Sequence, residues 1–196
     1  MMFSVPPLLL QQADHDWLLS EPKSASLNVE ACTLTRIHRS SFSDLNGLSE
    51  WLLANPQHYR RLLRRPPSPK DAEDLFTVCP SGLSLNRKYV WRLCDEKRLL
   101  GCLEALRSWP EQDVLYIGFL MVDELWRRMG LATRCLELLS EGTLSWGNIR
   151  RWRLAVVETD AAALRFWIKS GFVPTGHSEY SPAYGARLVV LEKSVR

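Results

Sequence analysis

Apolar and polar positions recur along this chain at two periods, and the changes of period mark its elements. In "SFSDLNGLSEWLLANP" Leu45, Leu48 and Leu52 share one helical face, with Ser43 at the cap and Asn55-Pro56 at the stop. "SPKDAEDLFTVCP" repeats the pattern. Ser68 caps it, Pro69 takes the first helical position, and Ala72, Leu75, Phe76 and Cys79 form the apolar stripe. Before these helices "ACTLTRIH" reads as a strand. After them "KYVWRLCD" and "LLGCLEALRSW" are β-rich runs on either side of the charged turn Asp95-Glu96-Lys97, so an antiparallel hairpin is the simplest reading. "VLYIGFLMV" is the next strand, beyond a loop containing Pro110. Leu131, Cys135, Leu138 and Leu139 then recur at helical spacing up to Gly142. "RLAVV", residues 153–157, is short and nearly all apolar, as a buried central strand is. A helix from Asp160 to Ser170 stops at Gly171, and "FVPTG" and "ARLVVLEK" close the chain as strands. The order β, α, α, β, β, β, α, β, α, β, β predicts a mixed α/β sheet. Residues 1–30 read as a peripheral segment ending in a linker, and residues 31–196 as one domain.

Composition narrows the choice. With 196 residues, 46% of them hydrophobic, one domain can bury a substantial core. A net charge of +3 is too small to call for a nucleic-acid partner. The arginines of "YRRLLRRPPSPK" (59–70), at helical spacing before a proline-rich turn, read as a solvated surface. Five cysteines (Cys32, Cys79, Cys94, Cys102, Cys135) contain no CxxC pair and the four histidines are scattered, so no metal site is expected. A reducing cytoplasm is the natural compartment. The opening "MMFSVPPLLL" lacks a basic start and meets Pro6-Pro7 early, which argues against a signal peptide, and no run is long enough for a membrane span.

One junction carries chemistry. "WRRMGLATR", residues 126–134, follows the strand "VLYIGFLMV" and opens the next helix. The first backbone N–H groups of a helix have no partner within it, and the helix dipole adds about half a positive charge there. Phosphate binds such a terminus when the backbone can come close. Gly130 has no Cβ to obstruct the approach, Ala132 is nearly as small, and Arg127, Arg128 and Arg134 add cations. This is a pyrophosphate site in chemical terms. Neither GxxxxGK[ST] nor a GxGxxG after the first strand is present.

Arg127 to Ala132 spell R-x-x-G-x-A after a strand ending in Leu120-Met121-Val122. Further on, "VVETDAAALRFWIKSGF" supplies Asp160, Ala163, Phe166, Trp167 and Gly171-Phe172, in the spacing of an Asn-x-x-Ala-x-x-Phe-Tyr run leading to Gly-Phe. One helix and one strand separate the two motifs. Together they resemble the acetyl-CoA signature of the GNAT family of N-acetyltransferases, over roughly residues 31–194. The resemblance implies the acyl-CoA N-acyltransferase fold: a mixed, mostly antiparallel central sheet, splayed fourth and fifth strands, and flanking helices. It implies that the pantetheine arm of acetyl-CoA lies between those strands, bonded by the backbone of Leu120 and Val122. The pyrophosphate would fall to Arg127 and to the stretch Arg128, Met129, Gly130, Leu131, Ala132 and Thr133. Asp160, Ala163, Phe166 and Trp167 would line the other side of the arm. A backbone N–H near a bulge at Leu120 would hold the oxyanion.

The chain also departs from the family. Asp160 replaces an Asn, and Trp167 replaces a Tyr that protonates the departing sulfur in many members. An indole N–H does not titrate usefully, whereas a thiol with a pKa of about 8.5 can leave as thiolate unaided; Tyr180 and Tyr184 are the other hydroxyls at hand. Tyr116 occupies the place of the carboxylate base of lysine-acetylating relatives. The base is therefore assigned to Glu104, a charge within the apolar strand "GCLEALRSW"; pairing with Arg107 or Arg92 is the structural alternative. His177 and "SEYSPAYG" form either an acceptor-pocket wall or an ordinary hairpin. The expected activity is acetyl transfer from acetyl-CoA, without a metal, to a small-molecule primary amine. No nucleic acid or membrane is expected as partner, and the chain is expected as monomer or homodimer. A protein N-terminus or lysine is the competing acceptor. A non-catalytic acyl-CoA-binding regulatory module is the alternative from another class.

Overall fold

The computed structural model describes residues 27–96 and 98–195, so the peripheral segment read over residues 1–30 falls mostly outside the described residues. The chain forms β1 (Thr33–Ile37), α1 (Phe42–Ala54), α2 (Gln57–Leu63), α3 (Pro69–Thr77), β2 (Lys88–Cys94), β3 (Leu99–Arg107), β4 (Val114–Val122), α4 (Leu131–Thr143), β5 (Arg151–Val157), α5 (Ala161–Lys169), β6 (Val173–Ser181) and β7 (Ala186–Ser194). The seven strands make one sheet in the order β1-β2-β3-β4-β5-β7-β6. Neighbours are antiparallel except β4 and β5, which are parallel and joined through α4. Among the described residues no helix is long and apolar enough to cross a membrane.

The helices cover the sheet on both faces. Leu131, Cys135, Leu136 and Leu139 of α4 and Trp167 of α5 pack with Leu103, Ala105, Leu115 and Ile117 of the sheet. On the other face Leu48, Trp51 and Leu52 of α1 and Ala72, Leu75 and Phe76 of α3 close over Val90, Cys102 and Met121. This is the three-layer solution expected when a mixed sheet has two apolar faces to bury.

The helix ends differ from the sequence reading in detail. Ser41, not Ser43, caps α1, because its Oγ reaches the backbone N–H of Asp44 at 3.3 Å while Ser43 already lies in the first turn. Ser68 caps α3 as read, with Pro69 at its first position, but the helix ends at Thr77 and leaves Cys79 outside. The arginine-rich stretch is not simply solvated surface. It folds as α2, which buries Tyr59 and sends Arg61 to Asp160, while Arg65 pairs with Asp71. Gly171 follows α5 at φ 91°, the left-handed stop expected there.

The fork that defines the molecule lies between β4 and β5. They pair only from Val114 with Arg151 to Ile117 with Leu154. Beyond that point each keeps its outer partner, Val122 against Gly101 of β3 and Val157 against Leu188 of β7, so the inner edges separate. A bulge at Gly118 coincides with the opening: Ala105 faces Ile117, whereas Glu104 faces Phe119. The extra residue switches the side-chain alternation. Ile117 joins the α4/α5 layer, whereas Phe119 and Met121 join the α1/α3 layer. The sequence reading placed the bulge at Leu120; the glycine two residues earlier takes it, because a side chain there would meet Glu104.

Candidate active site

Glu104 is the charged residue inside β3, only 6% exposed, and its partner is Lys88, whose Nζ lies 2.8 Å from Oε1. The sequence alternatives Arg92 and Arg107 are engaged elsewhere, Arg92 with Asp44 and Arg107 with Asn148. Glu104 Oε2 fills the space where a side chain at residue 118 would stand. Glycine at the bulge is therefore what allows a carboxylate to sit against the fork. Burial raises the Glu104 pKa, and the neighbouring ammonium of Lys88 opposes that rise. Glu104 thus reaches the bulge from beneath without lining the open cleft.

The cleft itself runs between the separated edges and is lined by Gly118, Phe119, Leu120 and Ala155, with a volume of about 210 Å³. Ala163 and Trp167 of α5 close one side. Trp167 is 8% exposed and its ring meets Phe166 and Phe172 edge-on, at centroid separations of 5.0 and 5.1 Å. It braces the core as well as the cleft. Asp160 is spent on protein contacts: Oδ1 accepts from the backbone N–H of Ala163, and Arg61 grips both oxygens at 2.9 and 2.8 Å.

Three further groups face this cleft. His58 of α2 meets the Phe119 ring edge-on, and its pKa is lowered to about 4, first by burial and then by Arg61 and Arg127, so it is neutral at pH 7. Tyr116 has its pKa pushed up to about 12, by burial first and then by Glu104. Tyr184, from the turn between β6 and β7, also lines the cleft, whereas Tyr180 is 58% exposed on β6 and His177 is exposed beside it. The segment read as either hairpin or pocket wall is a hairpin that places one tyrosine in the cleft.

The glycine turn lies at the other end of the fork. Asn55 clamps the chain ahead of it, donating to Asp123 and accepting from the backbone N–H of Glu124, while Glu124 accepts from the backbone of Gln57. Both acids are thereby turned toward α1 and α2. Arg128 adopts φ 69° and Gly130 φ 89°, and a Cβ at Gly130 would meet nothing within 4 Å. That open space continues into a groove of about 720 Å³ bordered by Val122, Arg128, Gly130, Ala132, Thr133 and Phe166. Leu131 borders it too while its side chain is buried in the core. Arg127 stays within 3.9 Å of Glu124, Met129 is 47% exposed, and neither borders the groove. Arg134 is drawn to Glu137 and the Glu30 carbonyl. A helix start with an unobstructed backbone, beside a slot between two strands, matches an elongated ligand with an anionic end.

The acetyltransferase (GNAT) family model matches residues 50–172, which contain the glycine turn, the fork and α5. The chain belongs to this family. By membership it is an N-acetyltransferase, and its sheet is the family's sheet. An acetyltransferase from Thermus thermophilus superposes with a TM-score of 0.66 at 20% identity, over 86% of this chain and 100% of that one. AAC(6')-Ib in complex with ribostamycin and coenzyme A gives a TM-score of 0.64 at 17% identity, over 84% and 93%. The ribosomal-protein-S18-alanine N-acetyltransferase from Escherichia coli gives 0.59 at 15%, over 84% and 94%. The search of curated proteins finds no sequence match.

Sequence reasoning missed Lys88, His58 and Arg61. Lys88 was within reach: in the hairpin register Val90 faces Glu104, which puts Lys88 diagonally across from it on the same face. Nothing in the sequence ties His58 or Arg61 to a strand fork more than fifty residues away, because α2 is too short to stand out as a separate helix.

Proposed function

We propose that the protein transfers an acetyl group from acetyl-CoA to a primary amine, with a small molecule as the acceptor and Glu104 as the base. The observation that carries this reading is the union of the β4/β5 fork with the open helix start at Gly130. The pantetheine arm lies between the strands against the backbone of Leu120 and Val122. The pyrophosphate sits on Arg128 and the N–H groups from Met129 to Thr133, with Arg127 beside them. Ala163, Phe166 and Trp167 support the arm, and Asp160 holds the start of α5 rather than bonding the arm itself.

The amine must lose a proton to attack the thioester carbonyl. Glu104, reaching the bulge beneath Gly118, takes it through a water, and the backbone N–H at Leu120 steadies the oxyanion. When the C–S bond breaks, the pair of electrons stays on sulfur, and coenzyme A leaves as thiolate because Trp167 cannot supply an acid. One observation favours the rival reading of an acyl-CoA-binding module without turnover: Glu104 is already held by Lys88. Release of free thiol from acetyl-CoA, measured against a panel of polyamines, aminoglycosides and peptide N-termini, tests the proposal. Amine-dependent release establishes an enzyme, whereas coenzyme A binding with no release from any amine favours the module.

A further inference from the structure

Resting on the acetyl-transfer reading above, we infer that His58 accepts a hydrogen bond from the attacking amine and thereby selects primary over secondary amines. A neutral primary amine has one lone pair and two N–H groups. For the lone pair to face the thioester carbonyl, both N–H groups need acceptors on the side turned away from it. The water leading to Glu104 receives one of them, together with the proton that is lost. The cleft must supply the other acceptor, which takes no proton itself.

The groups around the cleft leave few choices. Both oxygens of Asp160 are held by Arg61, and Oδ1 also accepts from Ala163. The inner backbone edges of β4 and β5 face the pantetheine arm in this reading. Tyr116 and Tyr184 bring hydroxyls, and a phenol oxygen is a weaker acceptor than a neutral imidazole nitrogen. His58 lines the same space, and neither of its ring nitrogens has a hydrogen-bond partner among the described residues. Because the ring is neutral at pH 7, one of those nitrogens carries a free lone pair. The ring is also held in place. It meets Tyr59 and Phe119 edge-on, each at 5.6 Å between centroids. On either side of it α2 is anchored, by the Gln57 backbone N–H donating to Glu124 at 2.6 Å and by Arg61 gripping Asp160. Phe119 follows Gly118 and is the strand partner of Glu104, so His58 and the base approach one point of the fork from different elements.

A half-buried histidine can serve as packing alone, and packing explains the two ring contacts. It does not explain the nitrogens. A phenylalanine would make the same contacts without bringing unbonded polar atoms into a half-buried place. An acceptor amine in the cleft gives one of them a partner. A secondary amine has a single N–H, which the water beside Glu104 takes, and it forgoes the bond to His58.

Acetyl transfer to butylamine and to glycinamide, each compared with its N-methyl derivative, tests the inference. The wild-type protein is expected to favour the primary amine of each pair. His58→Phe keeps a ring and removes both nitrogens. It should lower kcat/KM for the primary amine about tenfold, the scale of one hydrogen bond, and leave the N-methyl amine nearly unchanged. Steric exclusion of the methyl group would persist in that variant, whereas a preference due to the hydrogen bond is lost. His58→Gln, which returns an acceptor, should restore part of it. A measurement on the wild-type protein needs no substitution to fold: the nitrogen-15 resonances of the His58 ring should shift when glycinamide is added to the coenzyme A complex. A preference that His58→Phe leaves intact, or ring resonances that ignore the amine, overturns the inference and leaves the acetyl-transfer reading standing. If no amine causes thiol release, that reading fails first and the inference falls with it.

Discussion

Arg61 and Asp160 are 99 positions apart in the sequence and form a two-pronged ion pair, Nη1 to Oδ1 at 2.9 Å and Nη2 to Oδ2 at 2.8 Å. The pair ties α2 to the start of α5 across the fork. Asp160 also caps α5 through Ala163, and the two roles can be separated. Asp160→Asn restores the family residue, keeps the cap and removes only the charge. With the Arg61 side chain 53% exposed, loss of the pair is expected to cost at most about 1 kcal/mol. Asp160→Ala removes the cap as well and should cost about 1 kcal/mol more. Chemical denaturation of both variants checks this; equal losses would show that the cap contributes nothing.

Trp167 is a packing residue, buried against Phe166 and Phe172. Trp167→Phe keeps an aromatic ring against Phe166 and Phe172 and is expected to retain most of kcat. Loss of a true general acid costs about 10²–10⁴-fold. A fall of that size, with the circular dichroism spectrum unchanged, would show that the indole takes part in the leaving-group step. Trp167→Ala, by contrast, should lower stability by about 3–5 kcal/mol.

The order of elements was legible because it rests on periodicity and stops: the apolar run 114–122 is β4 to the residue, and the stop at Gly171 is where the left-handed turn falls. In α2 the arginines showed a helical spacing, but the buried face escaped a sequence reading because seven residues between Pro56 and the left-handed Arg64 give too short a window for an apolar stripe. The open glycine turn ahead of α4 was legible because its signal is local, a glycine among arginines at the start of a helix. The partners of Glu104 were not. Lys88 and Gly118 meet it through strand register and a bulge, and a bulge has no periodic signature: Gly118 inside a strand was the only trace of it.

Gly130 is the position where one side chain should decide binding. At φ 89° any other residue is strained, and a branched side chain would also enter the groove, which is empty at that point. Gly130→Val is expected to abolish detectable acetyl-CoA binding by calorimetry, with Gly130→Ala intermediate. A thermal melt separates backbone strain, which lowers the midpoint of both variants, from blockage. Unchanged affinity in the valine variant would place the pyrophosphate elsewhere.

Glu104 is where stability and catalysis can be told apart by pH. A base must be ionised to act, so activity is lost as pH falls through its folded-state pKa, which burial has raised. The stability linkage has the opposite sense. The folded state holds this proton where the unfolded state has released it, so the contribution of Glu104 to stability declines as pH rises through the raised value. Glu104→Gln should remove the acid limb of the kcat profile and lower kcat by about 10²-fold or more, while acetyl-CoA affinity stays unchanged. The same substitution strands the buried Lys88, an expected loss of about 3–5 kcal/mol. Adding Lys88→Met relieves that strain, because a neutral side chain of similar length needs no counter-charge. The double variant should therefore regain stability in urea denaturation without regaining activity or the acid limb. If it recovers both, Glu104 serves the fold alone, and the proton leaves the amine by another route.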